Sequence, residues 1–288
     1  MTVELREIQE ADRDDCARIV YEAFKAIAER HAFPPDFESV EAAAQLVGAW
    51  LAHPDVWGVV AEREGRVIGS NFLEARTPVA GVGPITVDPA EQSQGVGRRL
   101  MEAVLEHGER KPIRLVQDSF NAASLSLYTQ LGFEVKEPLV RINGEPSNDG
   151  SDGGLEVRPF RAGDLEACAQ LCRSVHGFER SGELREVERS PLQPFVAVRD
   201  GRIVAYATSI AFWPLAHGVA ESHEDLVGLL VGAQRSDRDP IDILLPIRHA
   251  ELFRWALSAG LRVVKPMNLM ALRDYREPAG AWFPSVLF

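Results

Sequence analysis

Three residues between two predicted elements have the types and the spacing of a phosphate-binding loop. Gln92, Gly95 and Gly97 follow an apolar segment that suits a strand, and Arg98 begins a segment that suits a helix. A strand that leads through glycines into a helix directs unpaired N–H groups and the positive end of the helix dipole at one point. Glycine has no Cβ, so an anionic oxygen can approach the backbone closely. We expect a phosphate seat here; a tight turn that merely contains glycine is the alternative.

A second group of polar residues lies downstream, after a predicted buried strand over 113–117. Asn121 can cap a helix and Gly132 can end it, with Ser124 and Tyr128 between them. Asn121 and Tyr128 are two helical turns apart and share one face. The spacing Gln92-x-x-Gly95-x-Gly97, followed by Asn121, Ser124, Tyr128 and Leu131-Gly132-Phe133, resembles the GCN5-related N-acetyltransferases. The resemblance covers about residues 65–141.

The resemblance implies a fold, a cosubstrate and a site. The fold is α/β, an α+β mixed sheet flanked by helices, and the cosubstrate is acetyl-CoA. Its pantetheine arm is expected between two splayed strands, here 83–87 and 113–117, with Pro84 marking the disruption of the first. Backbone amides from Gln92 to Arg98 are expected to hold the pyrophosphate, helped by Arg98 and Arg99. The expected cofactor-binding residues are Ile85, Thr86, Val87, Gln92, Ser93, Gln94, Gly95, Val96, Gly97, Arg98, Asn121, Ser124 and Tyr128.

Acetyl transfer needs a neutral amine, a polarised thioester, a donor for the oxyanion and a proton for the leaving thiolate. By the resemblance, the N–H of Val87 is the expected oxyanion donor and Tyr128 the expected general acid. A core tyrosine that only packs is the alternative for Tyr128. The general base stays open between a water chain and several carboxylates or imidazoles, which are Glu74, Asp88, Glu38, His31 and the terminal carboxylate of Phe288.

The spacing of apolar residues, together with capping and turn residues, predicts the helices and strands that position these candidate site residues. We expect a first strand over 3–8, a helix over 11–30 and a second helix that Ser39 caps and that runs to residue 52. A hairpin over 56–62 and 66–74 turns at Glu64-Gly65, and the strand 81–87 leads into the phosphate loop.

Composition narrows the class of protein. The 288 residues carry a net charge of −12 with a pI near 5.1, which argues against a nucleic-acid partner. The excess of carboxylates suits a cationic amine acceptor, either a small molecule or a peptide. No apolar run is long enough for a membrane span, and three cysteines without a signal segment favour the cytoplasm. No histidine or cysteine spacing predicts a metal site. A monomer or a homodimer is expected.

The chain repeats itself. Residues from Val3 match those from Leu155, those from Val59 match those from Phe195, and those from Asn121 match those from His249, with offsets of 152, 136 and 128. The loop 143–154 is rich in Gly, Asn, Asp and Ser. We therefore expect a catalytic domain over 1–143, a linker over 144–154 and a second domain over 155–288.

The second domain is expected to be a degenerate copy. It has no Gln-x-x-Gly-x-Gly loop, and alanine stands where the first copy has Tyr128. The prediction is thus an acetyl-CoA-dependent N-acetyltransferase of two tandem domains with the active site in the first. The alternatives are a non-catalytic acyl-CoA sensor and a structural protein that binds no CoA.

Overall fold

Apolar residues at helical and strand spacing form the elements of a first compact unit, which comprises Met1–Leu115 and Phe120–Phe133. The computed structural model describes residues 2–147, 153–186 and 192–287. Four helices of this unit are α1 (Arg13–Arg30), α2 (Val40–Leu51), α3 (Val96–His107) and α4 (Ala122–Gln130). Its strands are β1 (Glu4–Glu7), β2 (Val56–Arg63), β3 (Arg66–Glu74), β4 (Ala80–Val82) and β5 (Thr86–Val87), followed by β6 (Ile113–Asp118), which ends in the second unit.

The expected elements of the first unit are present, with one change in the strand before the loop. Ser39 caps α2 by accepting from the N–H of Ala42. The hairpin β2–β3 turns at Glu64 and Gly65, both of which have positive φ. The strand expected over 81–87 is divided into β4 and β5 at Gly83-Pro84, as expected for a residue without an N–H. β4 pairs in parallel with β6 and antiparallel with β3, whereas β5 pairs with β3.

The second compact unit comprises Val116–Ser119 and Glu134–Phe288. Its helices are α5 (Leu165–His176), α6 (Gly182–Arg185), α7 (His223–Asp237) and α8 (Ala250–Ser258). Five strands form one sheet in the order β14 (Ala281–Phe283), β11 (Gly218–Ala220), β10 (Arg202–Ala207), β9 (Phe195–Arg199) and β8 (Glu156–Pro159). In addition, β7 (Glu134–Gly144) lies between β12 (Ile241–Pro246) and β13 (Arg262–Leu272) and is antiparallel to both.

The order of elements repeats with the offsets that the sequence indicates. β8 begins 152 residues after β1, and β12, α8 and β13 each begin 128 residues after β6, α4 and β7. One ion pair repeats as well. Arg6 donates to both carboxylate oxygens of Asp12 at 2.7 and 2.8 Å, and Arg158 donates to both of Asp164 at 2.7 and 2.9 Å.

The two sequence repeats and the two compact units do not divide the chain at the same residue. β7 belongs to the first repeat by sequence, yet both of its strand partners come from the second repeat. The domain limits 1–143, 144–154 and 155–288 therefore stay predictions about the repeats, and residues 148–152 of the linker lie outside the described residues. None of the helices in the described part of the chain combines the length and apolar character that a membrane span requires.

Candidate active site

The loop between β5 and α3 is built by residues that force a sharp turn. Asp88 accepts the N–H of Ala90 at 3.0 Å and begins a short 3-10 turn at Pro89. Ser93 and Gly95 follow with φ of 65° and 80°, and α3 begins at Val96. The left-handed backbone conformation at position 95 favours glycine, because any other L-residue would bring its Cβ too close to the backbone.

The start of α3 offers backbone donors. Gly95 is its N-cap and supplies no side-chain cap, and the first intrahelical bond runs from the N–H of Arg99 to the carbonyl of Gly95 at 3.2 Å. The amides of Val96, Gly97 and Arg98 therefore come before the helical ladder and sit at the positive end of the helix dipole. A Cβ on Gly95 would meet no atom within 4 Å. The local structure thus fits a phosphate group that approaches the backbone from the open side.

The side chains of the loop form hydrogen bonds within the loop and to the neighbouring hairpin. Gln92 donates to the carbonyl of Val87 at 3.2 Å. Gln94 accepts from Arg63 at 3.1 Å and donates to Glu91 at 3.3 Å. Glu91 is also the partner of Arg66 at 2.8 Å. These contacts attach the loop to the β2–β3 hairpin, so its side chains hold the backbone in place.

Two arginines that we expected near the phosphate are engaged with protein atoms. Arg98 donates to Gln130 at the end of α4 and lies 3.9 Å from Glu102. Arg99 donates to the carbonyl of Val3 at 2.6 Å, toward the start of the chain. The donors at this site are accordingly the backbone amides, while Arg98 ties α3 to α4.

The register of β5 directs the N–H of Val87 away from β3. Val87 is opposite Gly69, and the next residue, Asp88, donates its N–H to the carbonyl of Ile68 at 2.9 Å. Successive residues of an antiparallel strand alternate the side to which their backbone groups point. The N–H and C=O of Val87 thus point to the other edge, where Gln92 already holds the C=O. By the same alternation the backbone groups of Thr86 point toward β3, and its side chain is buried beside Ser70, so the structure does not present Thr86 to a ligand at this edge.

Gly69 is a further candidate site residue, which the sequence pattern did not single out. A Cβ at this position would lie 2.7 Å from the carbonyl oxygen of Thr86 and 3.3 Å from the Cα of Val87. Only glycine lets β5 approach β3 this closely without a shift. A glycine inside a strand pattern is the signal that could have indicated a close backbone approach.

α4 carries the second group of expected site residues. Asn121 caps the helix by accepting the N–H of Ser124 at 3.2 Å, and the Ser124 hydroxyl donates to the carbonyl of Asn121 at 3.0 Å. Tyr128 is 7% exposed, and its ring lies 6.1 Å from that of Phe133. Asn121 and Ser124 thus define the start of the helix that presents Tyr128.

The start of α3, β5 and α4 converge at Gly97. A Cβ on Gly97 would lie 3.6 Å from the Leu127 side chain and 3.8 Å from that of Val87. The structure therefore brings the phosphate loop next to the expected oxyanion donor and next to the helix that carries Tyr128. Ile85 lies between β4 and β5, two residues before Val87.

The residues considered as general base are dispersed. Glu74 is buried and accepts from the backbone and side chain of Arg76 at 2.7 and 2.8 Å. It lies five residues along β3 from Gly69, which is about 17 Å at the rise of a strand, so the structure does not bring it to Val87. Asp88 is buried as a cap, and Phe288 lies outside the described residues. Glu38 and His31 are exposed.

The second unit differs at the corresponding positions. Ser222 caps α7 by accepting the N–H of Asp225 at 3.1 Å. His249, which corresponds to Asn121, is 2.9 Å from His223 at the start of α7. Burial lowers the pKa of His249 to about 4, which keeps its imidazole neutral.

The strand edge of the second unit is also closed. β14 pairs with β11, which occupies the place of β4 and β5 in the repeat. Trp282 and Phe283 are fully buried there, and a Cβ on Gly218 would lie 2.5 Å from the ring of Phe283. In this unit the helix start and the strand edge are satisfied by protein groups, in contrast to α3 and β5.

The sequence of the first unit matches a known family. The model of the acetyltransferase (GNAT) family matches residues 17–133, a range that contains β5, the phosphate loop and α4. Residues 17–133 are thus similar to the proteins of this family. Within the matched range, the part of the chain between residues 85 and 128 holds every expected cofactor-binding residue.

Two groups of curated relatives match parts of the chain. The [ribosomal protein bS18]-alanine N-acetyltransferase of Escherichia coli is 36% identical over 74 residues, which is 25% of this chain and 49% of that protein. The mycothiol acetyltransferase of Amycolatopsis mediterranei is 35% identical over 94 residues, which is 28% of this chain and 31% of that protein. The chain thus spans at most about half the length of these relatives.

Solved structures match the whole chain at low sequence identity. A protein of Pyrococcus horikoshii described as an acetyltransferase has a TM-score of 0.79 at 17% identity, over 99% of this chain and 94% of its own. A tandem GNAT protein from the clavulanic acid biosynthesis pathway has a TM-score of 0.62 at 14% identity, over 94% and 98%. The fold of the chain is therefore that of known GNAT proteins, including one with a tandem arrangement.

Proposed function

We propose that the domain over residues 17–133 transfers an acetyl group from acetyl-CoA to a primary amine. The observation that carries this proposal is the convergence at Gly97 of an uncapped helix start, a strand whose Val87 N–H points away from its neighbour, and the helix of Tyr128. The match of residues 17–133 to the family model and the names of the curated relatives support the same reaction class.

The backbone of the loop and of β5 would hold the cosubstrate. The amides from Val96 to Arg98 bind the pyrophosphate at the positive end of α3. Ile85, in the segment between β4 and β5, is assigned to pair through its backbone with the pantetheine arm, and Val87 offers the N–H that points away from β3 to the acyl end of the arm. Bound acetyl-CoA supplies the acyl thioester, and Val87 directs its N–H at the thioester oxygen, where negative charge develops.

Tyr128 is assigned as the general acid. The amine nitrogen forms a bond to the carbonyl carbon, and the carbon–sulfur bond breaks. Phenols keep their proton at neutral pH, so Tyr128 can donate it to the departing sulfur. The proton of the amine leaves to water, since the structure does not bring Glu74 to Val87.

A backbone substitution tests the role of Val87 most sharply. Val87→Pro removes the N–H, and this N–H makes no bond to β3, so the ladder loses nothing. We expect kcat to fall about 10²–10³-fold, the usual effect of removing an oxyanion donor. Val87→Ala is the matched control, because it keeps the N–H and loses only side-chain contacts.

The assay is thiol release from acetyl-CoA with alaninamide, phenethylamine, spermidine and glucosamine as acceptors. Circular dichroism checks that both variants are folded. Equal kcat for folded Val87→Pro and Val87→Ala would remove the oxyanion role. CoA binding without transfer by the wild type to any amine would favour the acyl-CoA sensor instead.

A further inference from the structure

The end of α1 places an aromatic side chain by an unusual turn. His31 is the C-cap, Ala32 adopts a left-handed φ of 59°, and the N–H of Phe33 donates back to the carbonyl of Ala28 at 3.0 Å. This is a Schellman ending, in which glycine normally takes the left-handed position. Alanine there carries a steric cost, and backbone strain of this kind occurs at functional sites.

Three rings meet where this turn contacts the start of α4. Phe33 stacks on Phe120 with ring centroids 4.3 Å apart and planes inclined by 15°. The His31 ring lies 5.2 Å from that of Phe120. We call His31, Phe33 and Phe120 the aromatic wall. His31 is exposed and the two phenylalanines are half-buried, so part of the wall faces solvent.

The aromatic wall lies at the edge of the sheet where the proposed reaction takes place. Phe120 directly precedes Asn121, which caps the helix of Tyr128. It also follows the carboxyl end of β6, and β4 is parallel to β6, so the chain leaves both strands at the same edge of the sheet. β5, which carries Val87, follows β4 at this edge, so the wall and the proposed oxyanion donor lie beyond the same ends of the two parallel strands.

We propose that the aromatic wall binds the acceptor and selects primary amines that carry an aromatic or branched apolar group near the nitrogen. This inference rests on the proposed acetyl transfer. Phenylalanine rings offer apolar surface and no hydrogen bonds, so a polyol acceptor would lose bonds to water without replacement. The loop 31–39 also carries Asp36 and Glu38 and neither lysine nor arginine, which complements a cationic amine.

The test compares two amines of similar reactivity. For the wild type we expect kcat/KM to be at least about tenfold higher for phenethylamine than for ethanolamine, as a well-formed apolar pocket provides. Phe33→Leu and Phe120→Leu should remove most of this preference without changing KM for acetyl-CoA. Phe33→Tyr keeps the ring and should keep the preference.

Phe37→Leu is the matched control. Phe37 belongs to the same loop, but its ring packs edge-on against Phe24, with centroids 5.5 Å apart. The Phe37→Leu variant should keep the wild-type ratio of kcat/KM for phenethylamine to kcat/KM for ethanolamine. Two results would refute acceptor selection by the aromatic wall and leave the proposed acetyl transfer standing. One is an equal kcat/KM of the wild type for both amines, and the other is an unchanged preference in folded Phe33→Leu and Phe120→Leu. Absence of transfer to every amine would contradict the proposed function, and the wall with it.

Discussion

Gly95 and Gly97 are two residues apart, yet the structure predicts opposite responses to alanine. Gly95 has a φ of 80°, and no atom lies within 4 Å of the position that a methyl group would occupy there. Gly95→Ala therefore carries a conformational cost of about 1–2 kcal/mol without a clash. At Gly97 a methyl group would make ordinary contacts of 3.6 and 3.8 Å, and alanine improves helix propensity by up to about 1 kcal/mol.

The two variants separate the effect on folding from the effect on CoA binding. Gly95→Ala should lower the free energy of unfolding and weaken CoA binding at least about tenfold, because its methyl group and any relaxation of φ both disturb the approach to the amides. Gly97→Ala should be as stable as the wild type or more so, with nearly the same Kd. Urea unfolding and calorimetric titration with CoA measure the two quantities. Wild-type affinity in folded Gly95→Ala would refute the assignment of the phosphate seat.

Three further outcomes are expected. Calorimetric titration should give one CoA per chain, because the second unit has a capped helix start and a paired strand edge; a value near two would contradict this. Arg6 holds the pKa of Asp12 below its ordinary value, and Asp164 is held likewise by its own arginine. Both pairs stabilise the fold fully above the pKa of an unfolded aspartate, and this stabilisation is lost as the pH falls through the folded pKa. In Asp12→Asn and Asp164→Asn the free energy of unfolding, measured with urea, should therefore fall less steeply toward acid pH than in the wild type. Burial raises the pKa of Cys16 and of Cys168 to about 12, so neither should react with iodoacetamide at pH 8 unless the protein unfolds.

The local parts of the site could be predicted from the sequence because short-range chemistry determines them. The cap of α2 at Ser39, the turn at Gly65 and the interruption at Pro84 each follow from one residue and its neighbours. The same holds for the cap of α4 at Asn121. Caps, turns and glycine loops depend on a few consecutive dihedral angles, so the residues at those positions predict them without knowledge of the tertiary structure.

The parts that could not be predicted depend on contacts between distant segments. The outward direction of the Val87 N–H follows from its register against Gly69, and the pattern of either strand alone does not fix that register. The pairing of β14 with β11 and the stacking of Phe33 on Phe120 join segments far apart in the chain. Glu74 looked near the site because it is near in sequence, but the direction of β3 carries it away.

The central claim, that this domain catalyses acetyl transfer with Tyr128 as the acid, is tested most directly by the kinetics of Tyr128→Phe. The substitution keeps the ring and its packing near Phe133 but removes the proton. With an accepted amine, kcat should fall about 10²–10⁴-fold, while stability and the Kd for CoA stay unchanged. Full turnover by Tyr128→Phe would contradict the account and leave Tyr128 as a packing residue.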